Sequence, residues 1–152
     1  MADIHPTAIV SDSAQLGKNV KIGPYAIIED DVKIGDGCEI KAYAQILPYT
    51  TIGENSRVFQ HSVIGEIPQD LKFEGEKSET IIGDNTTIRE FVTINRGTKD
   101  RQRTKIGNDC LLMACVHVAH DCLVGDNVIL ANSVTLAGHV TIEDWAILGG
   151  LF

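Results

Sequence analysis

Residues 16–40 read LGKNVKIGPYAIIEDDVKIGDGCEI, with an aliphatic side chain at Leu16, Ile22, Ile28, Ile34 and Ile40. Carried outward in steps of six from Ile4 to Leu148, the same frame covers twenty-five positions, and twenty-two of them are Ile, Val or Leu. The three failures are Asp70, Glu76 and Asp100, two of which are adjacent in the frame, so the pattern breaks in only two places. A helix of period 3.6 does not stay in phase with a step of six over so many turns. A period of six over most of the chain predicts an all-β solenoid, in which each short strand buries one aliphatic anchor against its neighbours.

A second column supports this reading. Four residues after the anchors stand small or β-branched side chains, among them Ala8, Ala14, Val20, Ala26, Cys38, Val128 and Val140. Large groups would not fit at a tight inward corner. Glycine often follows the anchor, as at Gly17, Gly35, Gly53 and Gly125, and Asn or Asp is common in the turns, where unusual backbone angles cost those residues little. The pattern resembles the hexapeptide repeat, in which three repeats form one coil of a triangular prism. The resemblance, not the period, implies that the parallel β-helix is left-handed, here with about seven coils and two corner loops.

The loops are the breaks in the frame, at about 66–80 and about 96–105. Both preserve the step of six, so each is expected to leave a corner without disturbing the stack. With one corner assigned to each insert, Ile64, Ile94, Val118 and Leu136 fall on one face in successive coils, and both loops leave the same edge. His120 and Gly138 on that edge are one coil of eighteen residues apart, as are Asp121 and His139. Two loops, two histidines, an aspartate and a glycine are thereby predicted to converge.

A neutral imidazole suits proton abstraction near pH 7, which makes His120 the candidate general base, with Asp121 as its orienting or charge-stabilising partner. The N–H of Gly138 is unshielded by any side chain and is a candidate donor to a developing oxyanion. His117 begins the strand leading to this edge and is expected to point outward. His5 and His61 are read as polar corner residues away from the edge. No serine or cysteine nucleophile stands in a recognisable motif. Three histidines, His117, His120 and His139, would be enough for a zinc site. Their spacing does not resemble that of the γ-type carbonic anhydrases, and zinc would leave both loops unexplained, so no metal and no cofactor is expected.

The 152 residues are 43% hydrophobic and carry a net charge of −8, enough for one domain with a core and unfavourable for a nucleic-acid groove or an anionic membrane as the main partner. Within this acidic chain Arg96, Lys99, Arg101, Arg103 and Lys105 form a basic run, read either as a solvated loop or as a site for an anionic ligand or acidic carrier protein. No secretory signal and no long apolar run is visible, which points to the cytoplasm and to no membrane span. Of the four cysteines, Cys38, Cys110 and Cys122 occupy the small-residue column and Cys115 does not; all are expected to be reduced.

The segments IGEIPQDLKFEGE (64–76), IREFVTINRGT (88–98), LLMACVHVAHDCLVG (111–125) and LANSVTLAGHV (130–140) together resemble the acyl-carrier-protein–UDP-N-acetylglucosamine O-acyltransferases. A generic hexapeptide acetyltransferase would share the anchors but not the QDLK loop. The resemblance implies that His120 deprotonates the sugar 3-hydroxyl, which then attacks the thioester of a hydroxyacyl chain on acyl carrier protein, in the first step of lipid A synthesis. It implies that Asp121 orients the base and that Gly138 stabilises the oxyanion. It further implies that Gln69, Asp70, Lys72, His117 and His139 contact UDP-N-acetylglucosamine or the acyl substrate. Family members are homotrimers with sites between neighbouring prisms, and they continue into further coils and a helical domain. Residues 1–152 are accordingly read as the hexapeptide-repeat portion. Some relatives carry His at the position of Asn95, and Phe152 stands in the small-residue column. The alternatives are an inactive trimeric β-prism and an N-acyltransferase of the same pathway, which lacks the QDLK loop.

Overall fold

The computed structural model describes residues 1–150; Phe152 lies outside them. The fold is a left-handed parallel β-helix of triangular cross-section, built from three parallel sheets of eight, seven and seven short strands. The first face runs from Asp3–Ile4 to Ile147–Leu148, the second from Ile9–Val10 to Thr135–Leu136, and the third from Gln15–Leu16 to Thr141–Ile142. Strands pair one coil apart, so Ile22 sits on Ile40 and Ile28 on Ile46. The register stretches only at the inserts, where Ile64 meets Ile94 and Ile94 meets Val118.

The anchors form one continuous buried cluster from Ile22 to Leu136, with Val10, Leu16, Ile142 and Leu148 packed partly buried at its ends. Ile4 departs from the expectation of a core running through every anchor. It is 42% exposed, because its strand lies at the outer edge of the first sheet and no coil covers it. The corner column is filled as the sequence indicates. The thiols of Cys38, Cys110 and Cys122 donate to the carbonyls of Gly53, Gly125 and Ala137, burial raises the pKa of all three, and all are free.

The turns show why Asn and Asp recur, and a different use for glycine. A residue of positive φ stands at corner after corner, including Asn19, Asp31, Asn55, Asn85, Asp109 and Asn127. The glycine that follows an anchor instead permits close stacking. A Cβ on Gly53 would lie 2.7 Å from the carbonyl carbon of Gly83 in the next coil. Aromatic residues take the positive-φ position along the corner between the first and second faces. There Tyr25, Tyr43, His61 and Phe91 stack in a column at 5.0–5.2 Å, which places His61 away from the loops.

Both inserts leave the second face and return on the third. Loop 1, residues 67–78, joins strands Val63–Glu66 and Glu79–Ile82; loop 2, residues 96–102, joins Thr93–Asn95 and Arg103–Ile106. They project from one edge in successive coils, as the frame requires. Behind that edge the inward corner column becomes polar: Thr50, Thr80 and Thr104 lie in register and fully buried. The hydroxyl of Thr104 accepts the backbone N–H of Asp121, a group no alanine or valine would satisfy.

Candidate active site

Asp121 is the fixed point of this edge. It occupies a positive-φ corner position and its side chain is 0% exposed. One carboxylate oxygen, Oδ1, accepts the backbone N–H groups of Thr98 at 2.9 Å and Arg101 at 3.2 Å. The other, Oδ2, accepts the Thr98 hydroxyl at 2.5 Å and His120 Nδ1–H at 2.9 Å. Burial by itself would raise the pKa of this carboxyl, but the donors from Thr98, His120 and Arg101 hold it below its ordinary value. An ionised Asp121 fixes the proton of His120 on Nδ1 and leaves Nε2 as the free acceptor. Nε2 lies 3.9 Å from Asp70 Oδ2, beside a cavity of about 260 Å³ between the loops lined by Asp70, Lys72, Glu76, Thr98, Lys99 and Asp100.

Gly138 lies one coil further on, directly against the imidazole. A Cβ there would come within 2.6 Å of both Cε1 and Nε2 of His120. Among the described residues its N–H donates to no protein acceptor. His139 completes the edge, with its N–H bonded to the His120 carbonyl at 3.0 Å and its ring edge-on to that of His120 at 5.0 Å. Its Nε2 stands 3.7 Å from Asp100 Oδ2 and 3.8 Å from Asp121 Oδ2.

The structure therefore brings together His120, Asp121, Gly138, His139 and Asp70, with Lys72 at the rim of the cavity and Gln69 exposed on the same loop. His117 stands apart. It lies half-buried on the outer side of the second face, where Nδ1 is 2.7 Å from the Thr93 hydroxyl, and burial lowers its pKa. The basic run does not form one patch: Lys99, Arg103 and Lys105 are exposed, Arg101 donates to the Asp121 carbonyl, and Arg96 is buried. A larger groove of about 420 Å³ lies around His5, Lys21 and Gln60 and shares no residue with this edge.

Ligating atoms of His120, Asp121 and His139 lie within 4.8 Å of one another. The donor set does not fit a three-histidine zinc centre. Both oxygens of Asp121 are taken by N–H and O–H donors, and His117 is held by Thr93 outside the cluster.

Four residues of the site were not singled out from the sequence for the roles they hold. Thr98 and Arg101 bind Asp121, Asp100 faces His139, and Glu76 accepts the Lys99 N–H. A signal for two of them was present, since Glu76 and Asp100 are failed anchors in the sixfold frame. Asp70 is the third, so all three polar interruptions stand in the loops around the cavity.

Residues 4–99 match the family model described as the GMPPB C-terminal domain, and residues 103–138 match that of the bacterial transferase hexapeptide (six repeats). Among curated relatives, the acyl-[acyl-carrier-protein]–UDP-N-acetylglucosamine O-acyltransferase of Verminephrobacter eiseniae is 59% identical over 99% of this chain and 58% of its own length. The protein of the same name from Aliarcobacter butzleri is also 59% identical, with the same coverage. The solved structure of LpxA from Acinetobacter baumannii superposes with a TM-score of 0.95 at 47% identity, over 97% of this chain and 57% of that one. The chain thus spans about 58% of the length of the curated relatives it matches.

Proposed function

We propose that the chain, 59% identical to acyl-[acyl-carrier-protein]–UDP-N-acetylglucosamine O-acyltransferases over 58% of their length, carries that family's chemistry at the edge beneath the two loops. The reaction is transfer of a 3-hydroxyacyl chain from acyl carrier protein to the 3-hydroxyl of UDP-N-acetylglucosamine. One observation carries the reading: His120 is bonded through Nδ1 to a buried carboxylate and has Nε2 3.9 Å from Asp70, a residue lining the inter-loop cavity, with Gly138 packed against the same ring.

In this mechanism the sugar hydroxyl gives its proton to His120 Nε2 as its oxygen attacks the thioester carbonyl. The developing imidazolium is stabilised by Asp121, and the tetrahedral oxyanion takes the Gly138 N–H. Collapse breaks the C–S bond, leaves an oxygen ester on the sugar, and returns the proton from His120 to the departing thiolate. Asp70 and Lys72, with Gln69 beside them, are the groups of loop 1 placed to hold the sugar nucleotide. His139 lines the far side of the base. His117, away from the cavity mouth, is placed to touch a substrate that extends over the second face.

Residues 1–152 serve in this reading as one β-helix domain of a homotrimer acting in the cytoplasm, with no helix among the described residues long and apolar enough to cross a membrane. His139 and Asp100 are open enough on this edge, at 42% and 65% side-chain exposure, for a neighbouring prism to close the site. Light scattering at three chain masses is the expected result, and a stable monomer would remove the inter-subunit part of the proposal.

Incubation of the chain with hydroxyacyl carrier protein and UDP-N-acetylglucosamine tests the chemistry. The expected product is an ester on the sugar, cleaved by mild base and absent with His120→Ala. Acyl transfer to a sugar nucleotide bearing a free amine, with none to UDP-N-acetylglucosamine, would support the N-acyltransferase alternative, and equal product from wild type and His120→Ala would end the general-base assignment.

A further inference from the structure

Arg96 is 8% exposed, yet among the described residues no carboxylate lies within 4.0 Å of it and its Nε has no hydrogen-bond partner. A buried guanidinium without a counterion carries a desolvation cost that some other interaction must offset. Here it lies between two aromatic rings, 5.3 Å from the centroid of Phe73 and 5.4 Å from that of Tyr49. The rings belong to different parts of the molecule. Tyr49 is a positive-φ corner residue of the prism, immediately before the strand Thr50–Ile52, and Phe73 is in the middle of loop 1. Arg96 itself opens loop 2, with its N–H on the Glu66 carbonyl at 2.9 Å and Nη2 on the Glu76 carbonyl at 3.4 Å.

Loop 1 has few other supports, one of them Lys77, whose Nζ lies 4.9 Å from the centroid of the same Tyr49 ring. Within it, Phe73 N–H donates to the Asp70 carbonyl, Lys72 N–H to Asp70 Oδ1, and Glu74 N–H to Glu76 Oε2. Apart from the bond of Ile67 to its neighbour Glu66, every hydrogen bond that ties residues 67–78 to the rest of the described chain comes from loop 2, through Arg96 and Lys99. The planar face of arginine is suited to stacking against rings on both sides in a way that an ammonium is not.

We propose that Arg96 is a positioning residue, whose guanidinium clamps Phe73 of loop 1 to Tyr49 of the prism and so holds Asp70 and Lys72 over His120. The clamp does not touch the base and meets the cavity lining only at the Glu76 carbonyl, and its effect on substrate rests on the acyltransferase reading above. Under that reading it governs affinity for the sugar nucleotide and leaves the chemical step alone, because His120, Asp121 and Gly138 are held by a separate set of bonds.

The test compares Arg96→Met, which keeps length and apolar contact, with Arg96→Lys and the wild type. Backbone amide exchange of residues 69–76 is expected to accelerate at least tenfold in Arg96→Met, with Asp121 and His139 N–H protection unchanged, and Arg96→Lys to fall between. In calorimetry with UDP-N-acetylglucosamine the Kd should rise about tenfold in Arg96→Met, and in acyl transfer KM should rise with kcat within about twofold of wild type. Unchanged loop 1 exchange would overturn the clamp, as would equal loss of protection in loop 1 and at Asp121, which is general destabilisation. Were Arg96→Met unable to fold, Phe73→Leu removes one face of the same clamp and must give the same local acceleration. Because exchange reads the clamp without substrate, loop acceleration with no sugar-nucleotide binding by the wild type would separate failure of the functional reading from failure of this one.

Discussion

The two corner loops leave the same edge of the prism in successive coils, but they are fastened in different ways. Loop 2 is bonded directly to the coil that carries His120: Thr98 and Arg101 together give Asp121 three donors to its carboxylate and a fourth to its carbonyl. Loop 1 is nearly twice as long and is mounted on loop 2, through Arg96 and Lys99. The shorter loop therefore braces Asp121 beside His120, and the longer one is positioned by it. The difference predicts a one-way dependence. Loosening loop 2 disturbs loop 1, whereas loosening loop 1 leaves the base in place.

The largest effect tests the end of this chain of supports. His120→Ala should lower turnover by about 10² to 10⁴, the ordinary range for a positioned general base, while sugar-nucleotide binding changes little. Exchange in both loops should stay as in the wild type, since neither loop is bonded to the imidazole; opening of a loop in this variant would break the comparison. Asp121→Asn should cost less turnover than His120→Ala, and it should open both loops. An amide in that pocket turns an N–H group toward donors that expect a carboxylate, at a cost of about 1–3 kcal/mol in stability by urea or thermal denaturation.

Thr98→Val sharpens the dependence without touching the base. Loss of one hydroxyl donor to a buried carboxylate should destabilise the chain by about 1.5–3 kcal/mol. Amide exchange should rise in loop 2 and, through it, in loop 1. If loop 1 remained protected, its mounting on loop 2 would be wrong. Thr98→Ser should restore most of the protection.

The smallest effect lies outside the loops. Burial lowers the pKa of His117, so the unfolded chain binds that proton more readily than the folded one. This contribution to stability is fully present above the ordinary pKa near 6.5 and is lost as pH falls below it. His117→Gln should therefore flatten the stability profile on the acid side of pH 6.5 in denaturant titrations and leave both loops unchanged. A steeper acid loss in the variant would contradict the assignment.

Much of this was legible in the residues. The sixfold frame gave the faces, the anchors and the edge from which both loops emerge, and the eighteen-residue spacing set His120 against Gly138. What remained hidden lies inside the inserts, where no period applies. Arg96 was read as part of a charged run, yet it is buried between aromatic rings, and nothing in a run of basic residues tells a stacked guanidinium from a solvated one. His117, by contrast, was legible: strand alternation turns it to the outer side of the face as expected, and only its partner Thr93 was unforeseen. The polar failures of the frame had marked the loops and Asp70, whereas the placing of Glu76 and Asp100 around the cavity had not been drawn from them.

The sequence alone determined the prism, because a solenoid coil repeats one local rule: an aliphatic anchor inward, a small residue at the corner, a residue tolerant of positive φ in the turn. Each repeat contacts mainly its neighbours, so the rule can be read coil by coil with no knowledge of distant contacts. Only the tertiary structure decided how the loops lie. Their placement depends on a few long-range bonds, from Thr98 to Asp121 and from Arg96 to Tyr49, Phe73 and Glu76. Such bonds follow from where the coils bring the chain in space, and no repeat of residue types along the sequence encodes them.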